Sequence, residues 1–160
     1  MESEGNELLR NEISKFIKEN MNVCEIGSGS CFLLKEFVND YGVNGYGVDP
    51  YGTSVKNQNP SCYQLEAEKL SSLKTEFNLI YSIRSFHHIR WPEVFLDEAF
   101  KTLSKNGYII TVDWKWGTDT GIHERYYSLS EMIELYESSG FKVITKINGK
   151  YNFCITGQKA

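Results

Sequence analysis

Three groups of residues in this chain have the types and spacing to do chemistry. The first is Glu25-Ile26-Gly27-Ser28-Gly29, which closes a short apolar run from Asn22, with Asp49-Pro50 closing the next such run twenty residues past Gly29. Glycines at a strand-to-helix turn let a ligand approach bare backbone. An acid at the end of the following strand can accept both hydroxyls of a ribose. Together they imply a nucleoside-containing cofactor, held by Glu25, Gly27, Ser28, Gly29, Asp49 and Pro50. The second group is Ser82-Ile83-Arg84, ending the apolar run from Phe77, with His87-His88 just beyond. The third is the long connection after Asp113, which carries Trp114, Trp116, His123, Glu124, Tyr126 and Tyr127. A long connection in a compact domain is usually functional, and Asp113, Trp116, Tyr126 and Tyr127 are candidates for a substrate wall or lid.

These groups need strands and helices to hold them. Leu9, Ile13, Phe16 and Ile17 recur at helical spacing and predict a first helix over residues 6–20. Strands are expected at 22–26, 46–48, 61–65, 77–83 and 108–113, with only a turn or two of helix at 53–57. Phe32, Leu33, Phe37, Val38 and Tyr41 form one helical face after the glycine turn, and Pro92 can open another helix at its first turn. Asn106-Gly107 reads as a turn. Ser128 and Glu131 have the spacing of a capping box for a helix ending before Gly140. Asn148-Gly149 marks a hairpin between two last strands, at 141–147 and 151–156. The expected architecture is α/β and Rossmann-like: a doubly wound, mostly parallel seven-stranded sheet whose C-terminal β-hairpin gives one antiparallel strand. Residues 1–160 form a single domain on this reading, an N-terminal helical segment (1–21) preceding a cofactor-binding core (22–160).

Composition narrows the function classes. A net charge of −4 with no run of like charges argues against duplex DNA as a partner. The four cysteines are dispersed without a CxxC pair, which predicts core thiols in a reducing cytoplasm and neither a metal site nor a disulfide frame. The N-terminus is polar, and no apolar run approaches the roughly 20 residues that span a bilayer.

In this order the motifs resemble those of class I S-adenosylmethionine-dependent methyltransferases, in particular the small type 11, UbiE-like group, from about Val23 to the C-terminus. Glu25-Ile-Gly27-Ser-Gly29 is similar to that family's first motif and Gly47-Val48-Asp49 to its ribose-binding motif. Leu65-Glu66-Ala67-Glu68-Lys69-Leu70 stands where the family places a segment beside the adenine. Phe77 to Ile89 is similar to its fourth strand with a His-His tail, and Leu103 to Gly107 stands where it has Leu-Lys-Pro-Gly-Gly. Cys31 replaces the third glycine of the first motif. The resemblance implies S-adenosyl-L-methionine as cofactor and S-adenosyl-L-homocysteine as product. Glu25 is then expected to attract the methionine ammonium, Asp49 to hold the ribose, and Glu66 (or Glu68) with Ala67 to meet the adenine. Ser82, Ile83 and Arg84 are expected to line the sulfonium side.

Methyl transfer is an in-line displacement on an already activated carbon, so positioning and exclusion of water dominate. A base is needed only if the nucleophile must lose a proton. His88 is the first candidate, followed by His87, with Asp113, His123 and Glu124 nearby in sequence. A small-molecule acceptor with an O, N or C nucleophile is the leading expectation. The alternatives are a tRNA or protein acceptor, with a site completed by a partner subunit, and a non-catalytic S-adenosylmethionine-binding protein. RNA is not favoured, and the chain is expected to be a monomer or a homodimer.

Overall fold

The computed structural model describes residues 1–160. The elements run α1 (Glu2–Ile13), β1 (Asn22–Ile26), α2 (Phe32–Tyr41), β2 (Asn44–Asp49), β3 (Ser61–Gln64), β4 (Phe77–Ile83), α3 (Pro92–Thr102), β5 (Leu103–Trp114), α4 (Leu129–Ser138), β6 (Lys142–Asn148) and β7 (Asn152–Gln158). Short 3-10 turns cover Ala67–Leu73 and Phe86–His88. The sheet order is β3-β2-β1-β4-β5-β7-β6, parallel except for β7, which runs antiparallel to both β5 and β6. This is the expected doubly wound sheet with one reversed strand.

Alternation along the strands builds two cores. Val23, Leu79, Tyr81, Ile110, Val112 and Cys154 face Leu9 and Ile13 of α1 and Leu34 and Phe37 of α2. Cys24, Ile26, Ile80, Ile109 and Ile155 face the other way, onto Phe95, Leu96 and Ala99 of α3 and Met132 and Tyr136 of α4. With both faces covered, β4 is apolar almost throughout, as its sequence requires. The capping box of α4 forms as predicted: Glu131 N–H donates to Ser128 Oγ (3.1 Å) and Ser128 N–H to Glu131 Oε1 (3.0 Å).

Four sequence expectations need correction. The first helix spans Glu2–Ile13 instead of 6–20; Phe16 and Ile17 pack on the same core from a following turn, with Ile17 itself buried. No helix forms at 53–57. Val55 instead makes a two-way backbone bridge with Cys62, each N–H donating to the other's carbonyl at 2.8 Å. Asn106 takes a left-handed φ of +67° without ending a strand; β5 carries an irregularity there and runs on from Leu103. Cys31 and Cys62 are joined as a disulfide and not held as separate thiols, with Cα atoms 6.8 Å apart. Gly47 explains the pairing. It is the β2 residue opposite Cys62, and a Cβ on it would occupy the place of the Cys31 sulfur. Cys24 and Cys154 are the buried free thiols that composition suggested.

Candidate active site

The chain leaves β1 toward β2 and β3 on one side, and β4 and β5 lie on the other. Ligands in such sheets sit at this switch point, beyond the carboxyl ends of the strands. A cleft of about 660 Å³ occupies it, reached by Gly27, Asp49, Pro50, Glu66, Ala67 and Ile83. A smaller pocket around Gly29 and Ser30 adjoins it through Asp49 and Tyr51.

The glycine turn is pinned to β2. The N–H groups of Gly27 and Ser28 both donate to Val48 O, at 2.8 and 3.1 Å. The two glycines do different work. Gly27, at φ +72°, has no room for a side chain because Ser85 packs against it, and Ser85 Oγ donates to Ile26 O at 2.9 Å. Gly29, at φ +54°, would place a side chain into open space, so nothing covers its backbone on that side. Asp49 ties the turn down: Oδ2 accepts from Gly29 N–H (2.9 Å) and Oδ1 from Tyr51 N–H (2.8 Å). A carboxylate has about four lone-pair positions, so two remain for a pair of hydroxyls. Cys31 stands at φ +63°, the left-handed conformation that a glycine would adopt more easily.

The other predicted cofactor residues divide. Glu66 is exposed at the cleft, 3.9 Å from Lys69 Nζ, whereas Glu68 is engaged by the Trp91 N–H at 3.1 Å. Of the two carboxylates named for the adenine, Glu66 is the freer. Glu25, Ser28 and Ser82 are buried and do not reach the cleft wall. Glu25 is only 4% exposed, and its Oε1 has no hydrogen-bond partner. Burial pushes its carboxyl up to about 8, against a smaller opposing effect of the neighbouring Tyr81 hydroxyl; the Asp49 charge adds to the rise.

Arg84 and His88 line the cleft, as expected. Arg84 sits at φ +52° and reaches back to α1, donating to Asn6 Oδ1 (3.0 Å) and Glu2 O (3.3 Å). His87 does not line the cleft. Its side chain is buried, with Nδ1 2.9 Å from both Asp113 oxygens and Nε2 2.9 Å from Glu124 Oε2. Burial alone works to lower its pKa, but the Asp113 carboxylate, with Glu124 behind it, outweighs this and holds the imidazole above its ordinary range. With both ring nitrogens engaged by carboxylates and no face on the cleft, His87 stands behind His88, which does line it.

The connection after β5 is a tied cover, and none of its three named aromatics lines the cleft. Trp116 N–H donates to Tyr127 O (2.9 Å) and Lys115 N–H to Tyr151 O (3.0 Å), which staples both ends of the loop. Tyr126 is buried edge-on against His87, and its hydroxyl bonds Thr120 (2.7 Å) and Glu124 (3.2 Å). Tyr127 packs on Phe86, and Trp116 is 72% exposed. Asp113 is buried under His87. The cleft wall that the sequence reading missed is Ser85, Ile89, Arg90 and Trp91, with the Arg90 guanidinium 5.3 Å from the centre of the Trp91 ring. The Arg-Trp pair before Pro92 was the available signal, since α3 had no use for an indole ahead of its first turn.

A family model described as a methyltransferase domain matches residues 1–146. The chain belongs to that family. By family and fold this methyltransferase is a class I enzyme that uses S-adenosylmethionine; the match is to the broad domain and does not single out the UbiE-like group. No curated protein matches it in sequence. Among solved structures, a chain in the complex containing the Haloferax volcanii Trm112 methyltransferase activator has a TM-score of 0.76 at 14% identity, covering 99% of this chain and 92% of that one. An S-adenosylmethionine-dependent methyltransferase from Aquifex aeolicus gives 0.71 at 20% identity (94% and 89%). Magnesium protoporphyrin IX methyltransferase from Synechocystis, solved with bound S-adenosylmethionine, gives 0.72 at 10% (99% and 79%). At these identities the likeness is one of fold.

Proposed function

We propose that this methyltransferase binds S-adenosylmethionine along the glycine turn and Asp49, and delivers its methyl group to a small-molecule acceptor entering past Arg84 and His88. The observation that carries the reading is the Asp49 carboxylate: it braces the turn with one lone pair of each oxygen and has two left, facing a cleft beside the open backbone of Gly29. That arrangement fits a ribose diol and an amino-acid tail. S-adenosylmethionine supplies a methyl group on a positively charged sulfur, which needs no further activation.

The chain's own residues bind and orient. Asp49 fixes the ribose, and Glu66 with the Ala67 backbone meets the adenine edge. Gly29 gives close backbone approach, while Ile83 forms an apolar wall at the end of β4. Glu25, Ser28 and Ser82 act from behind the wall, supporting the turn and strand ends. Arg84, held by α1, positions the acceptor side, and His88 takes a proton where the acceptor has one to lose. Trp91 and Arg90 give the cleft a flat, cationic edge suited to a planar or anionic acceptor.

The test is transfer of a labelled methyl group from S-adenosylmethionine into separated small-molecule, RNA and protein fractions. Label is expected in the small-molecule fraction. Label in RNA or protein instead would establish the large-acceptor alternative, and none in any fraction, with cofactor binding intact, the non-catalytic one. His88→Ala is expected to keep cofactor affinity and lose turnover. A second reading, a site completed by a partner subunit, draws on the Haloferax chain found in a complex with a methyltransferase activator. Co-purification of an untagged protein with the tagged chain at fixed stoichiometry, raising its turnover, tests that reading.

A further inference from the structure

The fold brings together three side chains that the sequence keeps far apart. His87 and His88 follow β4, and Glu124 comes from the middle of the loop after β5. One donor atom from each, two ring nitrogens and a carboxylate oxygen, all lie within 4.8 Å of one another. We propose that His87, His88 and Glu124 form a binding site for a divalent ion of the zinc class, with Asp113 as the residue that orients His87.

Donor identity supports this. Two imidazoles and one carboxylate are a three-ligand zinc set that leaves a fourth position open, as catalytic zinc sites do. The spacing supports it as well. His87 Nε2 is 2.9 Å from Glu124 Oε2, and His88 Nε2 is 3.9 Å from Glu124 Oε1. Tetrahedral zinc with bonds of about 2.1 Å holds its ligand atoms about 3.4 Å apart. These two distances, to the two oxygens of one carboxylate, lie on either side of that value, and His88, 63% exposed, has freedom to adjust.

The surroundings complete the argument. Both oxygens of Asp113 lie 2.9 Å from His87 Nδ1, and Oδ2 also accepts the His87 backbone N–H at 2.9 Å. This fixes the ring, with Nδ1–H donating to Asp113 and Nε2 aimed at Glu124, where an ion would take the place of the Nε2 proton. A carboxylate behind a histidine is the usual support of a metal-binding imidazole. Tyr126 packs edge-on against the same ring at 5.0 Å and bonds Glu124, holding the loop ligand near it. A plain His87–Glu124 ion pair would explain the 2.9 Å contact but not the convergence of His88 on the same carboxylate. Because His88 also lines the cleft, the open coordination position borders the acceptor side. An ion there would occupy His88 Nε2, so His88 acts as a base only in the metal-free protein; with the ion bound, the metal would instead acidify an acceptor oxygen, whose proton passes to water. That last role rests on the reading of the cleft above; the binding of the ion does not.

The 160-residue chain, freed of metal by chelation, is titrated calorimetrically with Zn²⁺ and spectroscopically with Co²⁺, alongside a separate titration with S-adenosylhomocysteine. One equivalent of metal is expected, with visible cobalt bands of a four-coordinate ion. Glu124→Gln and His88→Ala both alter side chains that reach solvent, and each is expected to weaken metal binding at least about tenfold, while Asp113→Asn weakens it roughly 10–100-fold. Failure to bind metal, or binding undiminished in both His88→Ala and Glu124→Gln, overturns the site. The S-adenosylhomocysteine titration reports on the cofactor reading independently, so the two failures are distinguishable.

Discussion

At the scale of single residues, Asp49 and Glu25 show how two neighbouring strand ends place carboxyl groups in opposite surroundings. Asp49 accepts two backbone N–H groups at the cleft and keeps lone pairs to spare. Its replacement by alanine is expected to weaken S-adenosylhomocysteine binding by roughly 1–3 kcal/mol, the value of a lost charge-assisted pair, measured by calorimetry; unchanged affinity would remove Asp49 from the site. Glu25 is buried with an unpartnered oxygen, and its carboxyl is pushed from 4.5 up to about 8. Below the unfolded value the group is neutral in both states and costs nothing. Between 4.5 and about 8 the unfolded chain ionises while the folded one stays protonated, so stability falls as pH rises. Above about 8 the loss is complete. Melting curves of the wild type and Glu25→Gln are therefore expected to diverge across that window in favour of the glutamine variant and to run parallel above it. Equal pH dependence of the two proteins would show that Glu25 is not held neutral.

At the scale of elements, what matters is how firmly each segment is tied. The loop after β5 is stapled at both ends by backbone hydrogen bonds and in its middle by Glu124 on His87, so it covers Asp113 and leaves the cleft to α3's Arg90-Trp91 lead-in. The α4 capping box satisfies two orphan N–H groups at once. Ser128→Ala is expected to cost about 0.5–2 kcal/mol in urea denaturation with an unchanged slope. Because Ser128 follows directly on Tyr126 and Tyr127, a larger loss would mean that the cap also anchors the loop.

At the scale of the whole molecule, two cores on a single sheet position a cleft at the strand-order switch. A ligand that binds only the folded chain raises its stability by about 2.7 kcal/mol at a hundred times its Kd. S-adenosylhomocysteine is therefore expected to raise the melting temperature and NAD to leave it unchanged in thermal denaturation; the reverse order would contradict the assignment of the cleft. No helix is long and apolar enough to cross a membrane.

The sequence by itself determined the sheet and the place of the cleft. Strands at 22–26 and 77–83, the Pro92 helix start and the capping box all follow from periodicity and local hydrogen bonding, which act over a few residues and so are legible in the chain. Gly27, Gly29 and Asp49 were legible for the same reason: they surround one strand-to-helix turn and the end of the next strand. Tertiary structure alone decided the rest. That Gly27 serves Ser85 and Gly29 serves open space, that Gly47 makes room for Cys31 to reach Cys62, and that Glu124 meets His87 and His88 are facts about segments 15 or more residues apart. Which way a side chain points, and what it then meets, is fixed only when whole elements pack. No local pattern in the sequence carries that information.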